Sequence, residues 1–157
     1  NDLCLFCQDL EKYSPKSFLS NIENTLDYFH ANFPRTFVNL VLVLDVRNVQ
    51  QMNAGGTVCS LLHKNTCPCA AYPPDNATVA NLTEYFYGYH NVLVDLVNSG
   101  KYDTRDDFTV VVQPFMANTS LPKTPEGDID YSYFAPDCFH FSGLFSIKFC
   151  FVLFDSV

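Results

Sequence analysis

Near the C-terminal end of the chain, Asp137 stands three residues ahead of His140 in the run Pro136-Asp137-Cys138-Phe139-His140-Phe141. At this spacing one turn of backbone can bring the carboxylate against imidazole Nδ1, fixing the ring tautomer and leaving Nε2 free as a base. A carboxylate and an imidazole are two members of a nucleophilic triad; the third, a Ser or Cys, has to come from elsewhere in the sequence. The same pair can also do no more than brace a loop, so its surroundings decide. Here it follows a strand pattern and a polar, Pro-containing connection, the place at which an α/β sheet presents its loops.

Other residues invite chemistry less specifically. Cys59, His63, Cys67 and Cys69 make a four-ligand zinc set on paper and Cys4-x-x-Cys7 a redox or metal pair, but neither has the spacing of a zinc motif. Cys138, two residues from His140, would compete with it for the same backbone turn and is not read as a nucleophile. The patterns Asn76-Ala77-Thr78, Asn81-Leu82-Thr83 and Asn118-Thr119-Ser120 are three N-glycosylation acceptors, and beside seven Cys they point to an oxidising, secretory compartment. Disulfides are the ordinary fate of Cys there. Six of the seven fall within residues 1–143, an even number whose connectivity the spacing does not determine, and Cys150 is left over. His30 and His90 sit within helix patterns and read as surface or packing residues; His63 has no setting comparable to that of His140.

A chain of 157 residues, 48% hydrophobic and 17% charged, is one domain's worth of globular sequence. Seventeen acidic against nine basic residues give a formal charge of −8 with no Lys/Arg cluster, which argues against nucleic acid as a partner. No apolar run is long enough to span a bilayer, and no basic-then-apolar start reads as a signal peptide. Asn1 is not an initiator Met, so the chain reads as a processed product or a piece of a longer one.

The elements that must position the pair follow from periodicity. Asn1 to Cys7 starts abruptly, as though at the end of a strand. Ser14 caps a helix whose first turn holds Pro15 and whose stripe is Phe18, Ile22, Leu26, Phe29 and Phe33, ended by Pro34. Residues 37–45 are nearly continuously apolar and β-branched, predicting a parallel strand covered on both sides. Val46 to Asp75 reads as a long irregular connection stapled by Cys. A second helix carries Val79, Leu82, Phe86, Tyr89, Leu93 and Leu96 and stops at Gly100, and residues 108–113 form a second buried strand before Pro114. Helix alternating with strand implies crossover connections and an α/β fold with a doubly wound parallel sheet. Two strands cannot complete such a sheet, so the earlier ones are expected ahead of Asn1.

With Asn1-Asp2 at one end and Asp137-x-x-His140 at the other, the chain resembles the SGNH (GDSL-type) hydrolase superfamily. More narrowly, Asn1-Asp2-Leu3-Cys4, Cys67-Pro68-Cys69 and the run from Phe134 to Phe141 resemble one hydrolase repeat of the membrane-associated phospholipase B family, over residues 1–143. The resemblance implies a three-layer α/β/α, flavodoxin-like domain of which this is the C-terminal part. It also implies a Ser nucleophile and a Gly oxyanion donor ahead of Asn1, in the missing N-terminal half. It assigns the Asn1 amide to the oxyanion hole, His140 to general base then acid, and Asp137 to orienting it, with no metal or organic cofactor. The implied activity is hydrolysis of phospholipid or lysophospholipid acyl esters at a membrane or micelle surface. The implied setting is extracellular or secretory, as part of a membrane-anchored ectodomain. Without its Ser the chain alone is expected to be inactive. The competing reading is a non-catalytic secreted glycoprotein or a truncated lipid- or protein-binding module, and a Gly-Asp-Ser block upstream separates the two.

Residues 144–157 depart from the resemblance. A closing amphipathic helix is expected after Gly143, but the tail is dense in aromatic and β-branched residues. It reads as an alternative or misassigned exon, the other reading being a divergent strand packed on the core.

Overall fold

The computed structural model describes residues 2–145. The role expected of Asn1, the left-over Cys150 and the origin of residues 146–157 lie outside the described residues.

Two helices frame the structure, and both start where side-chain oxygens satisfy the unpaired first-turn N–H groups. At Pro15–Asn32 (α2), Ser14 Oγ accepts from the Ser17 N–H at 3.2 Å. At Asn76–Asn98 (α5), Asp75 Oδ1 accepts from the Thr78 N–H at 2.7 Å and its hydroxyl at 2.8 Å. Those bonds hold the Asp75 carboxyl below its ordinary range. Leu82, Phe86, Tyr89, Leu93 and Leu96 are buried at three- and four-residue steps along α5, as the periodicity predicts. Phe18 stacks on Tyr89 with ring centroids 4.2 Å apart, and the Tyr89 hydroxyl donates to the Tyr13 carbonyl at 2.6 Å. The far end of the α2 stripe is open: Phe29 and Phe33 are exposed.

The helices approach so closely at Gly88 that a Cβ there would lie 2.6 Å from Pro15 Cγ. The proline ring is tied to backbone and cannot swing away. Gly88→Ala is therefore expected to destabilise the fold by about 1 kcal/mol. Overpacking costs about 1–3 kcal/mol, against roughly 1 kcal/mol gained by removing Gly from a helix interior. A lower urea midpoint checks it; an unchanged or higher one contradicts it.

Thr36–Val41 (β1) and Phe108–Gln113 (β2) pair in parallel, in register from Thr36 opposite Phe108 to Val41 opposite Gln113. A parallel pair needs a crossover, and α5 with the chain around it provides one. Beneath the sheet Leu26, Leu96, Tyr102, Phe108 and Val110 form one core cluster. The chain is thus α/β with a parallel two-stranded sheet. The expectation that the first strand is covered on both sides is corrected: exposure alternates along β1, with Phe37 61% and Val41 43% exposed. The helices cover one face, and among the described residues nothing covers the other.

Two further expectations change. The 46–75 stretch is helical rather than irregular: a 3-10 segment at Val49–Gly55 leads into Thr57–Thr66 (α3) and Pro68–Ala71 (α4). The Gly pair marks a helix junction. Gly56 takes φ +112° ahead of α3, and Gly55 lies under the Tyr131 ring, where a Cβ would collide. The N-terminal residues are also helical, Asp2–Leu5 (α1) running into a 3-10 turn at Phe6–Gln8. Disulfides explain why such short helices persist. Cys4–Cys67 and Cys7–Cys69 strap α1 and the following turn onto α4, in a core cluster with Leu3, Phe6, Phe86 and Tyr89.

Candidate active site

The loop carrying the predicted pair starts after a 3-10 turn at Tyr131–Tyr133 and closes on itself by a bridge between Phe134 and Phe141. Inside it, the Ala135 N–H donates to the His140 carbonyl and the Cys138 N–H to the Ala135 carbonyl, both at 2.8 Å. Asp137 and His140 meet as their spacing predicts: His140 Nδ1–H donates to Asp137 Oδ2 at 2.6 Å. The other carboxylate oxygen accepts from the Phe139 and His140 N–H groups, each at 3.0 Å. Burial of Asp137 opposes its ionisation, but the imidazole and these N–H groups outweigh it and hold the carboxyl below its ordinary value of 3.8. The carboxylate is thus fixed as an acceptor, Nδ1 carries the proton, and Nε2 meets no partner among the described residues. Chemically, this is an imidazole of set tautomer whose Nε2 can accept a proton.

His140 and Asp2 line the same cleft, of about 270 Å³, with Leu3, Phe18, Leu44 and Tyr89 among its walls. Asp2 and His140 therefore share a cleft, although the sequence separates them by nearly the whole described chain. Phe139 also lines a second, apolar cavity of about 140 Å³, with Leu44, Val46, Met52, Phe134 and Phe141.

The remaining candidates sort as follows. Asn76 is exposed at the first position of α5, Asn81 is half-buried in its second turn, and Asn118 is exposed after a 3-10 turn at Pro114–Met116. The thiols of the paper zinc set are consumed: Cys67 and Cys69 are bonded to Cys4 and Cys7, and Cys59 to Cys138. Cys138 is therefore no nucleophile, and among the described residues no cluster of His, Cys, Asp and Glu has the makings of a metal site. His90 is a packing residue, as read, with Nε2–H donating to the Val43 carbonyl at 2.8 Å.

His63 is what sequence reasoning missed. Its ring is fully buried, with Nε2 3.0 Å from the Cys138 carbonyl and Nδ1 2.7 Å from Asn53 Oδ1; both partners are acceptors, so a neutral ring donates to one of them. Asn53 is itself held, its amide donating to the Ala71 carbonyl at 3.0 Å. The signal was present in Cys59 and His63, four residues apart and so on one helix face, but the target of that face is 75 residues away.

Over 145 residues the chain is 50% identical to the human protein named Phospholipase B1, membrane-associated, covering 90% of this chain. Its mouse and rat counterparts are 44% and 43% identical over the same share. Over these residues the chain belongs to the phospholipase B family. It spans about a tenth of the length of those phospholipase B relatives. No family model matches the chain, and no solved structure does. Among the described residues no helix is long and apolar enough to cross a membrane.

Proposed function

We propose that the chain supplies the acid–base half of a Ser-dependent lipid esterase, a phospholipase or lysophospholipase, whose nucleophile lies in sequence ahead of Asn1. The observation that carries this reading is the 2.6 Å Asp137–His140 pair, whose imidazole residue lines a cleft. The Ser hydroxyl attacks the acyl carbonyl of a phospholipid while His140 Nε2 takes its proton. The imidazolium, stabilised by ionised Asp137, then protonates the leaving alcohol, and water activated by His140 releases the acyl group. The tetrahedral oxyanion needs donors that do not themselves titrate. The Asn1 amide fills that role, a donor of this kind being worth about 3 kcal/mol of barrier.

In this reading the domain is a flavodoxin-like, SGNH-type sheet. Its N-terminal half covers the open face of β1, where Phe37 and Val41 are exposed, and the 67% exposed His140 side chain. The three disulfides and the sequons at Asn76, Asn81 and Asn118 favour an extracellular or secretory setting.

The test is fatty-acid release from phosphatidylcholine and lysophosphatidylcholine micelles. The chain alone is compared with the chain extended by the residues that its gene encodes ahead of Asn1. Release by the extended protein and none by the chain alone is expected. No release by either overturns the esterase reading and favours a binding glycoprotein.

A further inference from the structure

We propose that His63 is a positioning residue for His140, acting through Cys138 as one arm of a two-point clamp whose other arm is the Cys59–Cys138 disulfide; the inference rests on the esterase reading. Helix α3 presents Cys59 and His63 one turn apart on the same face, and both end on one residue: Cys59 on the sulfur of Cys138, His63 on its carbonyl. Cys138 needs such a hold. Its φ of +59° is in the left-handed region that side-chain-bearing residues seldom adopt, and such conformations persist only where the surroundings over-determine them.

That reversal has a chemical consequence. It folds the chain back so that the N–H groups of Phe139 and His140 converge on Asp137 Oδ1 while the imidazole reaches Oδ2. Relaxing Cys138 toward an ordinary φ would rotate these donors off the carboxylate and free the His140 ring. The disulfide fixes where the Cys138 side chain sits but leaves its peptide plane able to turn; the His63 bond fixes the plane. This arm requires the ring proton on Nε2, since the Cys138 carbonyl accepts. His63 is fully buried and reaches no substrate, so its effect is on how His140 is aimed.

The experiment uses the chain with the residues encoded ahead of Asn1, bearing His63→Ala, His63→Gln or His63→Asn. Gln places an N–H where Nε2 stands and so retains the bond to Cys138, whereas Asn reaches only the Nδ1 position. Ester turnover is measured, and the strongly hydrogen-bonded Nδ1 proton of His140 is followed by NMR of ¹⁵N-histidine protein. His63→Ala is expected to lower kcat by about 10- to 100-fold with KM little changed, and to weaken the downfield proton signal. Gln is expected to restore most of the turnover and Asn little of it. Full kcat in His63→Ala, or equal kcat in the Gln and Asn variants, overturns the proposal. Should the Ala variant not fold, the Gln and Asn comparison carries the test alone. Should the parent protein release no fatty acid, the esterase reading fails separately and the proton signal decides: lost in Asn and kept in Gln supports the clamp, unchanged in both overturns it.

Discussion

Replacing His140 by Ala, in the chain extended by the residues encoded ahead of Asn1, is expected to lower kcat for acyl-ester hydrolysis by about 10⁴-fold or more, with KM changed little. In the proposed mechanism the imidazole acts only as the nucleophile ionises and the leaving group departs, so its loss is felt in the transition state rather than in binding. Asp137→Asn should cost less, roughly 10²- to 10⁴-fold, because the base survives but loses its tautomer control. The pair also sets an acid limit. The Asp137 carboxyl is held below 3.8, so the pairing is complete above that value and is lost only as pH falls through the lowered one. The contribution of Asp137 to loop stability should therefore be flat from neutral pH down to the ordinary carboxylate range and disappear below it. Turnover within a few fold of the parent in His140→Ala, with the protein folded, would rule out the role given to this residue.

The next largest effect is expected from the paired straps at the N-terminal end. Cys4–Cys67 closes a span of 63 residues, for which loop-closure entropy alone predicts a loss of roughly 4 kcal/mol on opening. Cys7–Cys69 overlaps almost the whole of that span, so once the first strap is in place the second adds less. Both Cys67 and Cys69 are fully buried, and Ser in their place adds the cost of an unpaired hydroxyl. The quadruple variant with Cys4, Cys7, Cys67 and Cys69 all replaced by Ser, which opens both straps, is thus expected to shift the urea midpoint of this region by about 2 M, taking an m value of about 2 kcal/mol/M. Pulse proteolysis across a urea series, read by mass spectrometry on peptides from α4 and α5, checks it. The cleft should respond as well, because Cys4 and Asp2 line it together with His140. An unchanged midpoint would mean that α1 and α4 are held by packing alone.

The sites differ in what could be read from the sequence. Asp137 and His140 were legible because the contact is local: three residues and one turn bring the groups together whatever the rest of the fold does. The cap at Ser14 and the stripe on α5 were legible for the same reason. The stretch between β1 and α5 was misjudged because its Gly pair and Cys residues carry turn and cross-link signals, while the 3-10 segment, α3 and α4 draw their stability from disulfides and burial. The cover expected on both faces of the first strand is found on one face among the described residues, because strand composition records what can pack on a strand and not which segment does so. His63 was passed over because nothing next to it in sequence resembles a site; its partners, Asn53 and Cys138, come together only through the crossover.

By itself the sequence determined the element types, the parallel pairing that their alternation requires, the oxidised state expected of the Cys residues, and the local chemistry of the Asp137–His140 loop. The tertiary structure decided which Cys meets which, that Asp2 and His140 share a cleft, and that a buried imidazole braces the loop from behind. The division is physical. Periodicity, capping and short-range pairs are set within a few residues, where chain connectivity limits the alternatives. A contact across 60 to 80 residues has far more alternatives, and packing of the whole core selects among them.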